Sequence, residues 1–166
     1  MERILAQAAW FLGMILVQIL LLNNIYLFGL ATPFLYIYAI LVLDKNINHT
    51  TLMLIAFAMG LIIDIFSNTP GVNAAASVFF AFVRPGILRI FSPRDDFENF
   101  RPSICSLGPG PFIRYAMVSL LLHHTAVYLL EAFSFANIGY LSLRILCSTL
   151  LTLMLVIAIE FIRNRR

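Results

Sequence analysis

The chain has 166 residues, of which 61% are hydrophobic and only 11% are charged, and its mean hydropathy is +0.95. Soluble domains carry about 45–50% apolar and about 25% charged residues, so this composition predicts an integral membrane protein. Apolar segments take up nearly all of the length and leave no room for a soluble catalytic domain. The net charge of +3 comes from basic residues near segment ends rather than from a basic face, which argues against nucleic-acid binding.

A membrane-crossing helix needs about 20 predominantly apolar residues, and shorter segments cross where neighbours or local thinning of the bilayer help. Six segments meet this requirement, and they predict one all-α integral membrane domain over residues 1–166, a six-transmembrane-helix bundle. In chain order they are residues 4–22, 28–43, 51–66, 72–91, 112–135 and 140–162. The first run is long and lacks a small-residue cleavage site, so we expect a retained helix and not a signal peptide.

Basic residues fall on one side of this predicted bundle. With six spans, the N-terminus, the 44–49 connection, the 92–111 connection and the C-terminal tail share one side, and they carry Arg3, Lys45, Arg94, Arg101, Arg163, Arg165 and Arg166. The other three connections carry no Lys or Arg. The positive-inside rule therefore predicts that both termini are cytoplasmic and that the 67–71 turn faces outward. Charges mixed with Pro and Gly make 92–111 a predicted irregular cytoplasmic segment, which favours a flexible connector.

The third span contains one carboxylate, Asp64, four residues after Gly60 and just before a polar turn with Pro70 and Gly71. A charge at membrane depth costs a few kcal/mol, so Asp64 is expected to face the bundle interior, a partner or a water-filled cavity. Ala56, Gly60 and Asp64 share one helix face, where small residues allow a neighbouring backbone to approach closely. We expect Pro70 and Gly71 to fix the turn that leads into the fourth helix.

Polar residues also recur in the last two spans. His124 shares a helix face with Tyr128 and Glu131, while Arg144 opens a polar stripe on the sixth span. In the predicted topology Arg144 lies near the level of Asp64 and Glu131, so an ion pair with one or both carboxylates would offset part of their burial cost. Such clusters serve helix packing as readily as partner binding, and both interpretations stay open.

The adjacent histidines, His123 and His124, favour a buried hydrogen-bonded pair over a metal site. Neighbouring residues on a helix point about 100° apart, and no third ligand follows from the spacing.

In the fourth span, Pro85 and Gly86 predict a kink, and Arg84 and Arg89 are interpreted as basic anchors that snorkel toward cytoplasmic headgroups. We rank these two arginines below the other candidate residues.

The catalytic patterns expected of membrane enzymes are missing from the sequence. An intramembrane aspartyl protease needs two carboxylates that share a proton, and Asp64 is the only Asp within a predicted span. There is no Gly-x-Ser-x-Gly elbow and no phosphate-binding glycine loop. We therefore predict a non-enzymatic protein without a cofactor or metal.

Four passages carry a resemblance to a known family. They are Gly60-x-x-x-Asp64 with the Ser67-Asn68-Thr69-Pro70-Gly71 turn, Arg84-Pro85 to Ser92-Pro93-Arg94, His123-His124 to Glu131-Ala-Phe-Ser134, and Leu143-Arg144-Ile-Leu with Ser148-Thr149-Leu-Leu-Thr152. On these passages the chain resembles the MreD family, the rod shape-determining membrane proteins of bacterial cell-wall elongation. The Asp-bearing turn is the most specific of the four, and the resemblance covers nearly the whole length.

The resemblance implies a subunit of the bacterial inner membrane that binds the bitopic scaffold protein MreC. It also implies that the subunit works beside MreB, a polymerase of the SEDS family and a penicillin-binding transpeptidase, within a lipid membrane, to organise peptidoglycan synthesis and cell shape. On this reading Gly60, Asp64, Pro70, Gly71, His124, Glu131 and Arg144 form the candidate partner-binding or polar cluster.

The family is similar in architecture to the substrate-binding components of energy-coupling-factor vitamin transporters, which supplies the alternative function. Similar folds do not by themselves transfer transport. A transporter of this kind needs a polar, aromatic-lined cavity near the outer face and a cytoplasmic docking surface for its energising subunits.

Overall fold

The structure is a computed structural model, and it describes residues 2–27, 29–92, 100–132 and 137–163, with side chains apart from those of 2–8 and 24. The described residues form helices and connections and contain no β-strand, which confirms the all-α prediction. Seven α-helices occur in these ranges: α1 (Glu2–Leu20), α2 (Ile37–Leu41), α3 (His49–Ser67), α4 (Val72–Phe91), α5 (Ile104–Leu107), α6 (Pro109–Ala132) and α7 (Ile138–Arg163).

Four helices, α3, α4, α6 and α7, are long and apolar enough to cross a membrane. Each begins and ends within three residues of a predicted span. α6 begins three residues earlier than predicted because proline is well tolerated in the first turn, where its missing N–H has no helical partner. In α1 the described apolar stretch, Ala9–Leu20, is shorter than a full span.

The predicted second span is not a continuous helix. Only Ile37–Leu41 is helical, and the chain from Pro33 through Tyr36 consists of irregular and turn residues, although residues 33–43 are all buried. The prediction of a helix over 28–43, whose first residue lies outside the described ranges, is therefore wrong. Pro33 supplies the local reason, because it has no N–H to donate and disfavours helical geometry at the residue before it.

Side chains of the long helices supply the hydrogen bonds that this buried segment cannot make within itself. Gln18 Oε1 accepts from the Leu35 N–H at 2.6 Å, Ser148 Oγ from Thr32 at 3.0 Å and Thr152 Oγ1 from Phe34 at 3.1 Å. Gln18 Nε2 also donates to the Pro33 carbonyl at 2.9 Å. Non-helical backbone is tolerated at membrane depth only where protein buries it and pairs its polar groups.

Arg84 provides hydrogen bonds to the backbone at the other end of this segment. Its Nη2 donates to the Leu41 carbonyl at 3.1 Å and to the Leu43 carbonyl, and Tyr115 Oη also donates to Leu41 at 3.0 Å. Arg84 is 1% exposed, so the prediction that it snorkels toward headgroups is wrong. The carbonyls that end α2 lack helical partners, and the guanidinium satisfies them inside the bundle. Arg89 is exposed in the last turn of α4.

The bundle has two ends, which we name from their connections. The turn end carries residues 67–71, where Asn23 Nδ2 donates to Ser67 Oγ at 2.8 Å. The loop end carries residues 44–48 and 100–108, where Arg101 and Asp44 form an exposed ion pair at 2.7 Å. α3 packs on α4, α4 on α6 and α6 on α7, while α1 packs beside the irregular segment.

Part of the predicted 92–111 connector is folded onto the bundle. Ile104 and Leu107 of α5 are buried, and Ser103 and Ser106 form a capping box. The rest of the connector, 93–99 with Arg94, lies outside the described residues, as do Phe133 to Ser134 of one family-like passage and the tail arginines Arg165 and Arg166. The Arg3 side chain is likewise not described. The prediction of a flexible connector is therefore wrong for the second half of the 92–111 connection, which contains α5.

Candidate functional site

Asp64 organises the junction between α3 and α4. It is 3% exposed, which confirms that it faces protein. Oδ1 accepts from the Asn73 N–H at 2.9 Å, from Asn73 Nδ2 at 3.0 Å and from Thr69 Oγ1 at 2.8 Å, while Oδ2 accepts from the Ala74 N–H at 2.8 Å. These two N–H groups belong to the first turn of α4, whose N-cap, Gly71, makes no side-chain cap. Asp64 thus caps α4 from the preceding helix and places its negative charge at the positive end of the helix dipole.

Gly60 lies one turn before Asp64, where the α4 backbone passes closest to α3. A Cβ placed on Gly60 would lie 2.6 Å from Ala74 Cα and 2.6 Å from the Asn73 carbonyl oxygen. Any side chain there would force the two backbones apart, since real Cβ atoms do not approach backbone atoms so closely. The predicted close approach is therefore real, and it takes place between two helices of this chain.

The turn between these helices contains two left-handed residues, Asn68 at φ 54° and Gly71 at φ 83°. The Asn68 and Thr69 N–H groups both donate to the Asp64 carbonyl, which closes the end of α3. At Gly71 a Cβ would meet no atom within 4 Å, so backbone conformation and not space is what favours glycine. Pro70 is exposed at the tip of the turn.

Arg144 pairs with Glu131 and not with Asp64. Its Nη2 lies 3.4 Å from each Glu131 carboxylate oxygen, and its guanidinium carbon lies 4.4 Å from the centre of the Tyr128 ring. The prediction that Arg144 pairs with one or both carboxylates is confirmed for Glu131, and the structure gives no pair with Asp64 among the described residues. Both oxygens of Asp64 instead accept hydrogen bonds from α4 or Thr69.

A cavity of about 390 Å³ opens at the turn end between these groups. Its walls come from the α1–α2 connection, the α3–α4 turn and helices α3, α4, α6 and α7. The lining residues are Asn23, Tyr26, Thr32, Phe34, Phe66, Ser67, Thr69, Val72, Asn73, Val127, Tyr128, Glu131 and Arg144. At the rim, a hydrogen bond to Tyr140 raises the pKa of Tyr26. The site is thus polar and aromatic, with one charge of each sign.

His123 and His124 lie below this cavity and face two different neighbours. His123 Nε2 is 3.0 Å from the Tyr36 hydroxyl, which is also 3.3 Å from Asn73 Oδ1. His124 Nδ1 donates to the Leu120 carbonyl at 2.7 Å, and its Nε2 lies 3.2 Å from Thr152 Oγ1. The two histidines are fully buried, and both hold the irregular segment in place, His123 through Tyr36 and His124 through Thr152.

Glu160 was not predicted to be important. It is 1% exposed near the end of α7, where Oε1 accepts from Tyr38 Oη at 2.5 Å and Oε2 accepts from the Ile104 N–H at 3.2 Å. It also pairs with Arg163 at 2.7 Å. The signal that singled out Asp64, a carboxylate inside an apolar run, applies equally to Glu160. Gln18 and Tyr36 carry no such signal, because neutral polar residues in spans are common.

The outer surface of the α3–α4 pair carries an apolar groove of about 710 Å³, which we call the α3–α4 groove. Ala74 lies buried at its base, whereas Phe57, Phe79 and Phe82 are 46–59% exposed along it. The lining residues are Met53, Phe57, Leu61, Gly71, Ala74, Ala75, Val78, Phe79 and Phe82. Gly60 and Asp64 lock the same helix pair from the inner side. Small residues between exposed aromatic side chains make this surface concave and apolar.

Comparison with protein-family models, with curated proteins and with solved structures finds no match to this chain.

Proposed function

We propose that the protein is a non-enzymatic subunit of the bacterial cell-elongation complex that holds the single transmembrane helix of a bitopic scaffold in the α3–α4 groove. The groove is the observation that carries this proposal. It is apolar, it lies on helices long enough to cross a membrane, and its small residues allow a helix backbone to approach closely. The identity of the partner, an MreC-like scaffold, rests on the resemblance to the MreD family.

The proposal includes a topology. The ring centres of Trp10 and Tyr38 lie 6.5 Å apart, and Gln18 Nε2 donates to the Pro33 carbonyl. Because the earlier residue of α1 contacts the later residue of the irregular segment, the two run antiparallel. With that segment counted as a crossing, the chain passes through the bilayer six times and both termini lie on the side of the loop end. The positive-inside rule assigns that side to the cytoplasm of a bacterial inner membrane.

Gly60 and Asp64 have an indirect role in this proposal. Both face the interior of the chain, so a docked helix would not touch them. They fix the distance between α3 and α4, and that distance sets the width of the groove. A change at either residue would reach the partner through the shape of the groove.

The proposal is tested by purifying a tagged copy from its native membrane in mild detergent and identifying the retained proteins by mass spectrometry. Ala75→Trp would fill the groove from an exposed position, and Ala158→Trp makes the same change at an exposed position on α7. We expect the parent and Ala158→Trp to retain a bitopic scaffold and cell-wall synthases, and Ala75→Trp to lose most of the scaffold. Equal retention by all three proteins would contradict the proposed groove.

A second candidate function, small-molecule uptake with energising subunits, is favoured by the turn-end cavity. It is polar and aromatic, as the substrate site of such a transporter would be. The same purification separates the two functions. Recovery of cytoplasmic ATPases with a small membrane coupling subunit would support transport and count against a role in cell elongation.

A further inference from the structure

The turn-end cavity holds two opposite charges whose hydrogen-bonding capacity is not used up. Arg144 Nη2 lies 3.4 Å from both oxygens of Glu131, whereas charge-assisted hydrogen bonds of this kind are about 2.7–2.9 Å long. Arg144 Nε is buried and has no hydrogen-bond partner among the described residues. The Glu131 side chain is 42% exposed. An anionic oxygen and a cationic N–H group could therefore both be accommodated.

The two amide side chains of the cavity, Asn23 and Asn73, already have partners. Asn23 Nδ2 donates to Ser67 and its Oδ1 accepts from Gln18, while the Asn73 amide is divided between Asp64, Thr69 and Tyr36. Arg144 and Glu131 are the charged residues of its lining, and they offer the recognition of a charged ligand.

Arg144 is held in position before any ligand arrives. Its guanidinium lies 4.4 Å from the centre of the Tyr128 ring and 5.9 Å from that of Tyr26, within the range of cation–π attraction. A charged group that is already oriented loses little freedom on binding, which favours affinity. The cavity also reaches the protein surface, because Phe66, one of its lining residues, is 64% exposed.

We infer that the turn-end cavity binds a small zwitterion in which an anionic phosphate or carboxylate contacts Arg144 and a primary ammonium contacts Glu131. A volume of about 390 Å³ is sufficient for a headgroup-sized molecule. A phosphoethanolamine headgroup in the outer leaflet and a free water-soluble zwitterion both present this chemistry. The inference goes beyond partner capture, since the α3–α4 groove and the cavity have no lining residue in common.

The test is native mass spectrometry of the detergent-purified full chain with three short-chain lipids: dihexanoyl phosphatidylethanolamine, phosphatidylcholine and phosphatidylglycerol. Phosphatidylcholine has no ammonium N–H for Glu131, and phosphatidylglycerol has no cation. We expect the ethanolamine lipid to bind about tenfold more tightly than either, the equivalent of about one charge-assisted hydrogen bond. Equal binding of all three lipids would overturn the inference.

Two variants assign the contacts. Arg144→Gln should weaken binding of the ethanolamine lipid by about tenfold or more, whereas Arg114→Gln, at an exposed position near the other end of α6, should leave it unchanged. Glu131→Gln should abolish the preference for ethanolamine over glycerol headgroups, and it tests the site even if Arg144→Gln does not fold. Parental binding by Arg144→Gln, or parental preference in Glu131→Gln, would overturn the inference.

Free phosphoethanolamine separates the two sources of the ligand. Displacement of the lipid by similar concentrations of phosphoethanolamine would support a water-soluble zwitterion. Tight lipid binding that phosphoethanolamine does not displace would support a membrane headgroup.

Discussion

Among the described residues, three charged side chains are buried, and all three hydrogen-bond to backbone groups, whereas only Glu160 also pairs with an opposite charge. Asp64 caps the first turn of α4, Arg84 closes the carbonyl end of α2, and Glu160 accepts from the first N–H of α5. A buried ion is tolerated when hydrogen bonds replace its lost hydration, and helix termini offer unpaired groups for that purpose. The ionisable residues in these spans therefore have structural roles before any functional one.

Asp64→Asn tests the capping role. The amide keeps one acceptor oxygen, but its NH₂ group replaces the other oxygen and faces an N–H group of α4 that now donates to Asp64. The substitution also removes the negative charge at the helix N-terminus. We expect a loss of about 1–3 kcal/mol in the free energy of unfolding in detergent. Asp44→Asn, in the exposed pair with Arg101, is the control and should cost less than about 1 kcal/mol. Equal costs for the two variants would contradict the cap.

Gly60→Leu tests the close contact between α3 and α4. A side chain at this position must displace the α4 backbone near Ala74, so we expect a lower unfolding temperature in detergent and weaker capture of the partner. Gly86→Leu adds the same side chain in α4 where a Cβ meets no atom within 4 Å, and it should behave like the parent. A Gly60→Leu protein with parental stability and parental capture would show that the contact does not shape the groove.

At the scale of elements, the least regular segment is the most enclosed. Residues 33–43 are all buried, and side chains from α1, α4, α6 and α7 pair with their backbone. The surrounding helices thus supply the hydrogen-bond partners for a segment whose backbone could not be left unpaired in lipid. Gln18 and Thr152 are two of the polar residues that pair with the backbone of this segment.

Thr152→Val tests whether the irregular segment depends on this hydrogen bonding, because valine has nearly the same side-chain shape as threonine. The substitution leaves the Phe34 N–H and His124 Nε2 without their hydroxyl partner inside the bundle. We expect a loss of about 1–3 kcal/mol in the free energy of unfolding. Thr125→Val is the matched control, because Thr125 Oγ1 donates to the Leu121 carbonyl of its own helix. If Thr125→Val costs as much as Thr152→Val, the segment does not depend on this hydrogen bond.

The sequence predicted α3, α4, α6 and α7 well because polar or proline-containing turns bound their apolar runs. It failed for residues 28–43 because hydropathy registers apolar side chains and does not register distant groups that pair with a non-helical backbone. The same limitation explains why Gln18 was missed. Asp64 was placed correctly in the interior, but the sequence suggested Arg144 as its partner, because spacing along the chain does not show which backbone N–H groups the fold brings to a carboxylate.

The whole molecule combines a locked interior with two open features on different sides of α3 and α4. Hydrogen bonds across the turn end and the loop end fix the helices, while the α3–α4 groove and the turn-end cavity remain available for binding. A rigid scaffold with preformed concave surfaces suits recognition, because little freedom is lost when a helix or a small molecule docks. In our account the groove holds a protein partner and the cavity a small zwitterion.

The most direct test of the account is site-specific photocrosslinking in the native membrane. A photoreactive residue replaces Phe79, which is 46% exposed in the groove, and in a control protein it replaces Met154, which is 69% exposed on α7. We predict that position 79 crosslinks to the transmembrane helix of a bitopic scaffold and that position 154 does not. A scaffold crosslink from position 154 and none from position 79 would place the partner elsewhere and contradict the account.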